Sequence, residues 1–120
     1  MTNEDTAAIV REYHDSWTGG DFARATALLA DALAVEVPVN DYPTTESFAD
    51  ALSNFGSTVT GVDLLASMTS GPEAMLLYDL DVPRLGRLRV AEHFTVGDGK
   101  ITRIRQIHDT AAVRAAGLAG

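Results

Sequence analysis

Apolar residues recur at helical spacing early in this chain and alternate with polar ones through most of the rest. In residues 4–18, Thr6, Ile9, Val10, Tyr13 and Trp17 fall on one side, and Arg11, Glu12, Asp15 and Ser16 on the other. That pattern predicts an amphipathic helix. Gly19-Gly20 ends it, and Asp21 suits the N-cap of a second helix with Phe22, Ala25, Leu28 and Leu29 as its stripe. Residues 33–39 alternate Val35, Val37 and Val39 with Ala34, Glu36 and Pro38, which predicts a strand. Pro38 has no amide donor, so this strand belongs at an edge or a bulge. Pro43-Thr44-Thr45 opens a third helix, with Phe48, Leu52 and Phe55 inward and Gly56 as its stop.

From there the period is two. Val62, Leu64, Ala66 and Met68 alternate, Ser70-Gly71-Pro72 turns the chain, and Ala74, Leu76, Tyr78, Leu80 and Val82 alternate on the way back. A second turn at residues 83–86 leads to Leu88, Val90, Glu92, Phe94 and Val96, and Asp98-Gly99 is a strong hairpin signal. Residues 101–109 close the sheet, and the alanine-rich stretch 111–120 carries no clear element signal. The order helix, helix, strand, helix, four strands predicts one α+β domain over residues 1–120, an antiparallel sheet with helices on one face.

If Asp98-Gly99 fills the two central positions of a tight turn, the register follows. Phe94 faces Arg103, Glu92 faces Arg105, Val90 faces Ile107 and Leu88 faces Asp109, and opposed residues share a face. Glu92, Arg105 and Asp109 then sit among apolar neighbours, while His93, Gln106 and His108 take the wet side. A carboxylate on an apolar face has to be paired, wetted or neutralised. A Glu92–Arg105 ion pair is one reading, and a pocket group with a tuned pKa is the other. A bulge would move the register by one residue and invert the facing.

Composition narrows the classes. A chain of 120 residues, 46% hydrophobic, buries enough surface for one core and does not read as disordered. With no cysteine there are no disulfides or thiolate chemistry, and His14, His93 and His108 lack metal-ligand spacing, so no metal or cofactor is expected. A net charge of −8 repels phosphate backbones and anionic lipid, which leaves nucleic acid and membrane as poor partners. The N-terminal residues have no signal-peptide pattern and no apolar run approaches a membrane span, so the expected location is the cytoplasm. Nucleophile elbows, phosphate loops and dinucleotide fingerprints are absent from the sequence.

Asp21-Phe22 after the first helix, Leu29-Ala30-Asp31, Val35-Glu36-Val37-Pro38 and Asp98-Gly99-Lys100-Ile101, in that order, resemble the nuclear-transport-factor-2-like superfamily. Its members include SnoaL-like polyketide cyclases, ketosteroid isomerases and limonene-epoxide hydrolases. The resemblance implies a strongly curved sheet with helices across its concave face, a cone-shaped pocket and, in many members, a homodimer formed through the sheet. Set against the steroid isomerases, Tyr13 and Glu92 match the two donors of the oxyanion hole, while Val37 falls where the proton-shuttling aspartate stands. Asp41 lies just beyond that strand. Set against the epoxide hydrolases, Glu92 and Asp109 match a pair of working carboxylates, but Val90 replaces their arginine. Asp109 also matches the acid–base of SnoaL-like cyclases.

Tyr13, Glu92 and Asp109 are therefore the candidate catalytic residues. Trp17, Val37, Tyr42 and Phe48, together with Tyr78, Phe94 and Arg105, are the candidate ligand-binding residues. One functional reading is binding of a small hydrophobic, oxygen-bearing molecule, with proton-transfer chemistry of the isomerase or cyclase kind. The others are a non-catalytic binding or dimerisation module that lacks the base, and an epoxide-hydrolase-like enzyme using Glu92 and Asp109.

Overall fold

Thr2 starts the first helix by accepting the Asp5 amide on its hydroxyl, and in the computed structural model, which describes residues 2–117, this helix is α1 (Asn3–Thr18). Asp21 caps the short α2 (Phe22–Thr26) through the Arg24 amide. A reciprocal capping box between Thr44 and Ser47 opens α3 (Thr45–Gly56). The strands are β1 (Leu29–Glu36), β2 (Gly61–Ser70), β3 (Glu73–Val82), β4 (Gly86–Gly97) and β5 (Lys100–His108), and α4 (Ala111–Ala115) follows them. Residues 118–120 of the alanine-rich stretch lie outside the described residues.

Several of these elements differ from their sequence pattern: α4 forms where no element was expected, and β1 spans Leu29–Glu36 rather than residues 33–39. The second helix is one turn long and Leu29, expected on its stripe, is the first residue of β1. A non-local partner draws it into the sheet: Leu29 stands beside Ile101, whose amide donates to the Leu28 carbonyl at 2.8 Å, and β1 pairs in parallel with β5 while the other strands run antiparallel. The sheet order is β1-β5-β4-β3-β2. β1 breaks register between Leu29 and Ala34, and Thr45 of α3 satisfies the freed backbone. Its hydroxyl donates to the carbonyls of Ala30 and Asp31 and accepts the Leu33 amide. α3 ends on Gly56, with Ser57 as its C-cap, and a Cβ at Gly56 would stand 2.6 Å from the Phe22 ring.

Asp98 and Gly99 both have positive φ, 51° and 78°, as a type I′ hairpin turn requires. Beyond it Val96 faces Ile101, but Thr95 then faces Arg103, so Thr102 is an extra residue in β5. The physical cause is legible in the side chains. An unbroken ladder would turn Arg103 and Arg105 into the core and Ile104 out to water. Each buried guanidinium without partners costs several kcal/mol, and an exposed isoleucine forgoes about 1.5–3 kcal/mol. The bulge leaves Ile101 and Ile104 both fully buried and both arginines exposed.

Cross-strand rows then sort the sheet. On the inner face Leu76, Glu92 and Gln106 make one row, Tyr78, Val90 and His108 the next, and Ala74, Phe94 and Ile104 a third. α1 lies across this face and buries Val10, Tyr13, His14 and Trp17 against it. On the outer face the buried Asp79 is held in a fork by Arg89, at 2.8 and 3.0 Å, with Arg87 reaching Asp79, Asp81 and Asp63. These contacts hold the Asp79 carboxyl below its ordinary range, the Arg89 hydrogen bonds being the largest cause.

The bulge makes a direct test. Ile104→Ala should lower stability by about 2–5 kcal/mol in urea unfolding, whereas Arg105→Ala should stay within about 0.5 kcal/mol of the wild type. An unbroken ladder would reverse the two outcomes.

Candidate functional site

The concave face, the helices and the loop after β1 enclose a cavity of about 450 Å³, inside the range usual for small-molecule sites. Its walls are largely apolar. The sheet contributes Leu80, Val82, Leu88 and Val90, α3 contributes Phe48, Ala51, Leu52 and Phe55, and Val113 of α4 completes the lining. Trp17 enters from α1, and Val37, Asn40 and Tyr42 from the loop. That loop turns on Val39, whose φ of 61° is unusual for a β-branched residue. The Asn40 amide closes a γ-turn around it by donating to the Pro38 carbonyl at 2.9 Å.

One polar cluster interrupts the apolar wall. Glu92 is 1% exposed. Its Oε1 accepts the Tyr78 hydroxyl at 2.8 Å and its Oε2 accepts the Gln106 amide nitrogen at 2.8 Å. Gln106 stands directly across the β4–β5 ladder, and Tyr78 reaches Glu92 diagonally from β3. Burial pushes the carboxyl up to about 7, and the bonds from Gln106 and Tyr78 hold it from rising further. Tyr78 is raised in turn by burial and by the neighbouring carboxylate.

The other candidates distribute as follows. Trp17, Val37, Tyr42, Phe48, Tyr78 and Glu92 all line the cavity. Tyr13 is fully buried, but its hydroxyl has no hydrogen-bond partner and its ring packs edge-on against Phe94 at 5.7 Å. Glu92 thus takes its tyrosine bond from Tyr78 rather than Tyr13. Tyr13 and Phe94 are core residues beside the cavity, although the Tyr13 hydroxyl is raised by burial first and then by the charge of Glu92. Arg105 is exposed on the outer face opposite His93, so the anticipated Glu92–Arg105 pairing is corrected to Glu92–Gln106. Asp109 is exposed beyond β5, and its side chain accepts the Ala111 amide at the foot of α4. It does not line the cavity, because the bulge has moved the facing by one residue.

The same shift brings Gln106 and His108 to the wall, where the unbroken register had turned them outward. The signal for both was the three-residue spacing of Ile101 and Ile104. His14, which had no assigned role, is buried against Tyr78 with ring centroids 4.9 Å apart. Burial pushes it down to about 4, so it is neutral near pH 7.

Residues 10–104 match a family model described as the SnoaL-like domain. The crystal structure of a protein from Kribbella flavida DSM 17836 aligns with a TM-score of 0.86 at 28% identity, covering 94% of this chain and 93% of that one. A candidate ketosteroid isomerase from the same organism aligns at 0.75 and 23% identity over 91% and 81%. An LEH-like epoxide hydrolase from M. tuberculosis aligns at 0.75 and 20% identity over 95% and 90%. At such identities these last two share the fold alone. No curated protein matches the chain.

The raised Glu92 value fixes a pH dependence. The folded protein holds this proton more tightly than the unfolded chain, so stability falls as the pH rises from about 4.5 to about 7 and then levels. Glu92→Gln copies the protonated form and should escape that loss. Relative to the variant, the wild type should lose on the order of 3 kcal/mol between pH 4.5 and 8. A stability difference that stays flat over that range would refute the buried, proton-holding carboxyl.

Proposed function

Because this chain belongs to the SnoaL-like domain family, we propose that it binds a small, hydrophobic, oxygen-bearing molecule in the cavity between α3 and the sheet, of steroid-, polyketide- or terpenoid-like size. The observation that carries this reading is the buried Glu92–Tyr78–Gln106 cluster set into a largely apolar wall. Apolar surface supplies affinity without direction, and a few fixed polar groups orient the ligand's oxygen. Titration with a phenolic steroid and smaller phenols, followed by the fluorescence of the single tryptophan Trp17, tests it. Saturable binding is expected, weakened about tenfold by Ala51→Leu, which narrows the cavity from α3. Silence across the panel would discard the ligand-binding reading.

Proton-transfer chemistry of the isomerase or cyclase kind is the second reading, favoured by a carboxyl on the wall that titrates at about 7, where an acid–base group works best. Val37 faces the same cavity and takes no proton, which leaves Glu92, with His108 on the same wall, to move it. Turnover of an enolisable ketone, lost in Glu92→Gln, would support this reading over a binding module. The epoxide-hydrolase arrangement draws no support from an Asp109 outside the lining.

Pairing of two copies through the sheet is part of the same proposal. Met68 and Ile107 are each 72% exposed and Met75 is 44% exposed, and all three lie on the outer face with Leu77 and Ala91 between them. Light scattering should give a dimer at micromolar concentration, and Ile107→Glu a monomer. A monomeric wild type would end this part of the proposal.

A further inference from the structure

We propose that Gln106, Glu92 and Tyr78 form a directional hydrogen-bond relay through which Tyr78 donates to a neutral ketone in the cavity only while Glu92 carries a proton, but bonds a neutral alcohol in either state. The inference rests on the cavity being a ligand site, as argued above, and adds the ligand chemistry and its regulation.

The direction follows from the donor inventory. The Gln106 amide nitrogen can only donate, so Glu92 Oε2, 2.8 Å away, is an acceptor in both protonation states. A proton added to Glu92 therefore sits on Oε1, which lies 2.8 Å from the Tyr78 oxygen. With Glu92 ionised, Tyr78 donates its only proton to Oε1 and leaves lone pairs alone for a ligand. With Glu92 protonated, Oε1 donates to Tyr78, and the phenolic proton is released toward the cavity that Tyr78 lines. A ketone oxygen only accepts, and at the Tyr78 hydroxyl it finds a donor in the second state alone. An alcohol accepts or donates, and finds a partner in both.

Other titratable and charged groups face this relay from three elements. From α1, His14 packs on Tyr78 and is pushed down to about 4, and Tyr13 is raised by burial. From β5, His108 is the other titratable group of the sheet wall, and Arg84 stands on the turn between β3 and β4. Burial pushes Glu92 itself up to about 7.

The experiment compares 4-tert-butylcyclohexanone with 4-tert-butylcyclohexanol, a pair of like shape that do not ionise, by calorimetric titration between pH 5.5 and 8.5. The ketone's Kd should rise about five- to tenfold over that range, and the alcohol's by less than twofold. Glu92→Gln, whose amide nitrogen donates to Tyr78 permanently, should hold the ketone with no pH dependence. Tyr78→Phe should bind both probes without distinguishing pH, and His108→Gln should retain the wild-type shift. Binding of both probes with a constant ratio at all pH values overturns the relay and leaves the ligand site standing. It is also the outcome if Gln106 turns its carbonyl to Glu92. A shift that survives Glu92→Gln, or vanishes in His108→Gln, overturns the relay by placing the titration elsewhere. Binding of neither probe at any pH overturns the ligand site and the relay with it.

Discussion

Two guanidinium groups in one strand cannot be taken into this core, and much of the architecture follows from keeping them out. Arg103 and Arg105 alternate with Ile104 along β5, and a tight turn at Asp98-Gly99 would aim the arginines inward. One extra residue at Thr102 reverses that without disturbing the turn. The inner face then closes with Ile101 and Ile104 under α1, and Gln106 arrives opposite Glu92. The polar cluster on the cavity wall is thus a consequence of where two charges may not go.

Glu92 shows how a carboxyl can be kept inside without an ion pair. Both of its oxygens are engaged by neutral donors, so neither is left without a partner as it enters a low-dielectric wall. Burial still penalises the charge more than two neutral hydrogen bonds repay, which puts titration near neutrality. The outer face solves the opposite problem. Asp79 is almost as buried, but two arginines meet it, and its carboxyl stays ionised. One sheet therefore carries a neutral-donor carboxyl on one side and an ion-paired carboxyl on the other, set by which residues face across the ladder.

Much of this was legible in the residues. The α1 stripe, the cap of α3, the Asp98-Gly99 turn and the inward Glu92 follow from period and turn chemistry, which act over a few residues. The partner of Glu92 was not, because it depends on register, and register turns on a single bulge. Ile101 and Ile104, three apart in a strand, contradict a period of two and mark that bulge. Leu29 misled because its strand partner is Ile101, far along the chain, whereas its neighbours continue a helical stripe. Tyr13 and Tyr78 both sit on inward stripes, and only the diagonal reach across β3 and β4 decides which of them meets the acid.

The parallel pairing of β1 with β5 also constrains the order in which the chain can fold. Among the described residues β5 is the only strand to which β1 is bonded, and nearly the whole of the intervening chain must be made before that ladder can form. The β2–β3–β4 meander needs only neighbouring segments and can assemble early, while closure by β1 carries the entropy of a long loop. On the ribosome, Leu29 and Leu33 would wait uncovered until β5 emerged, so this edge is where a newly made chain would be most exposed to chaperones or to misassembly.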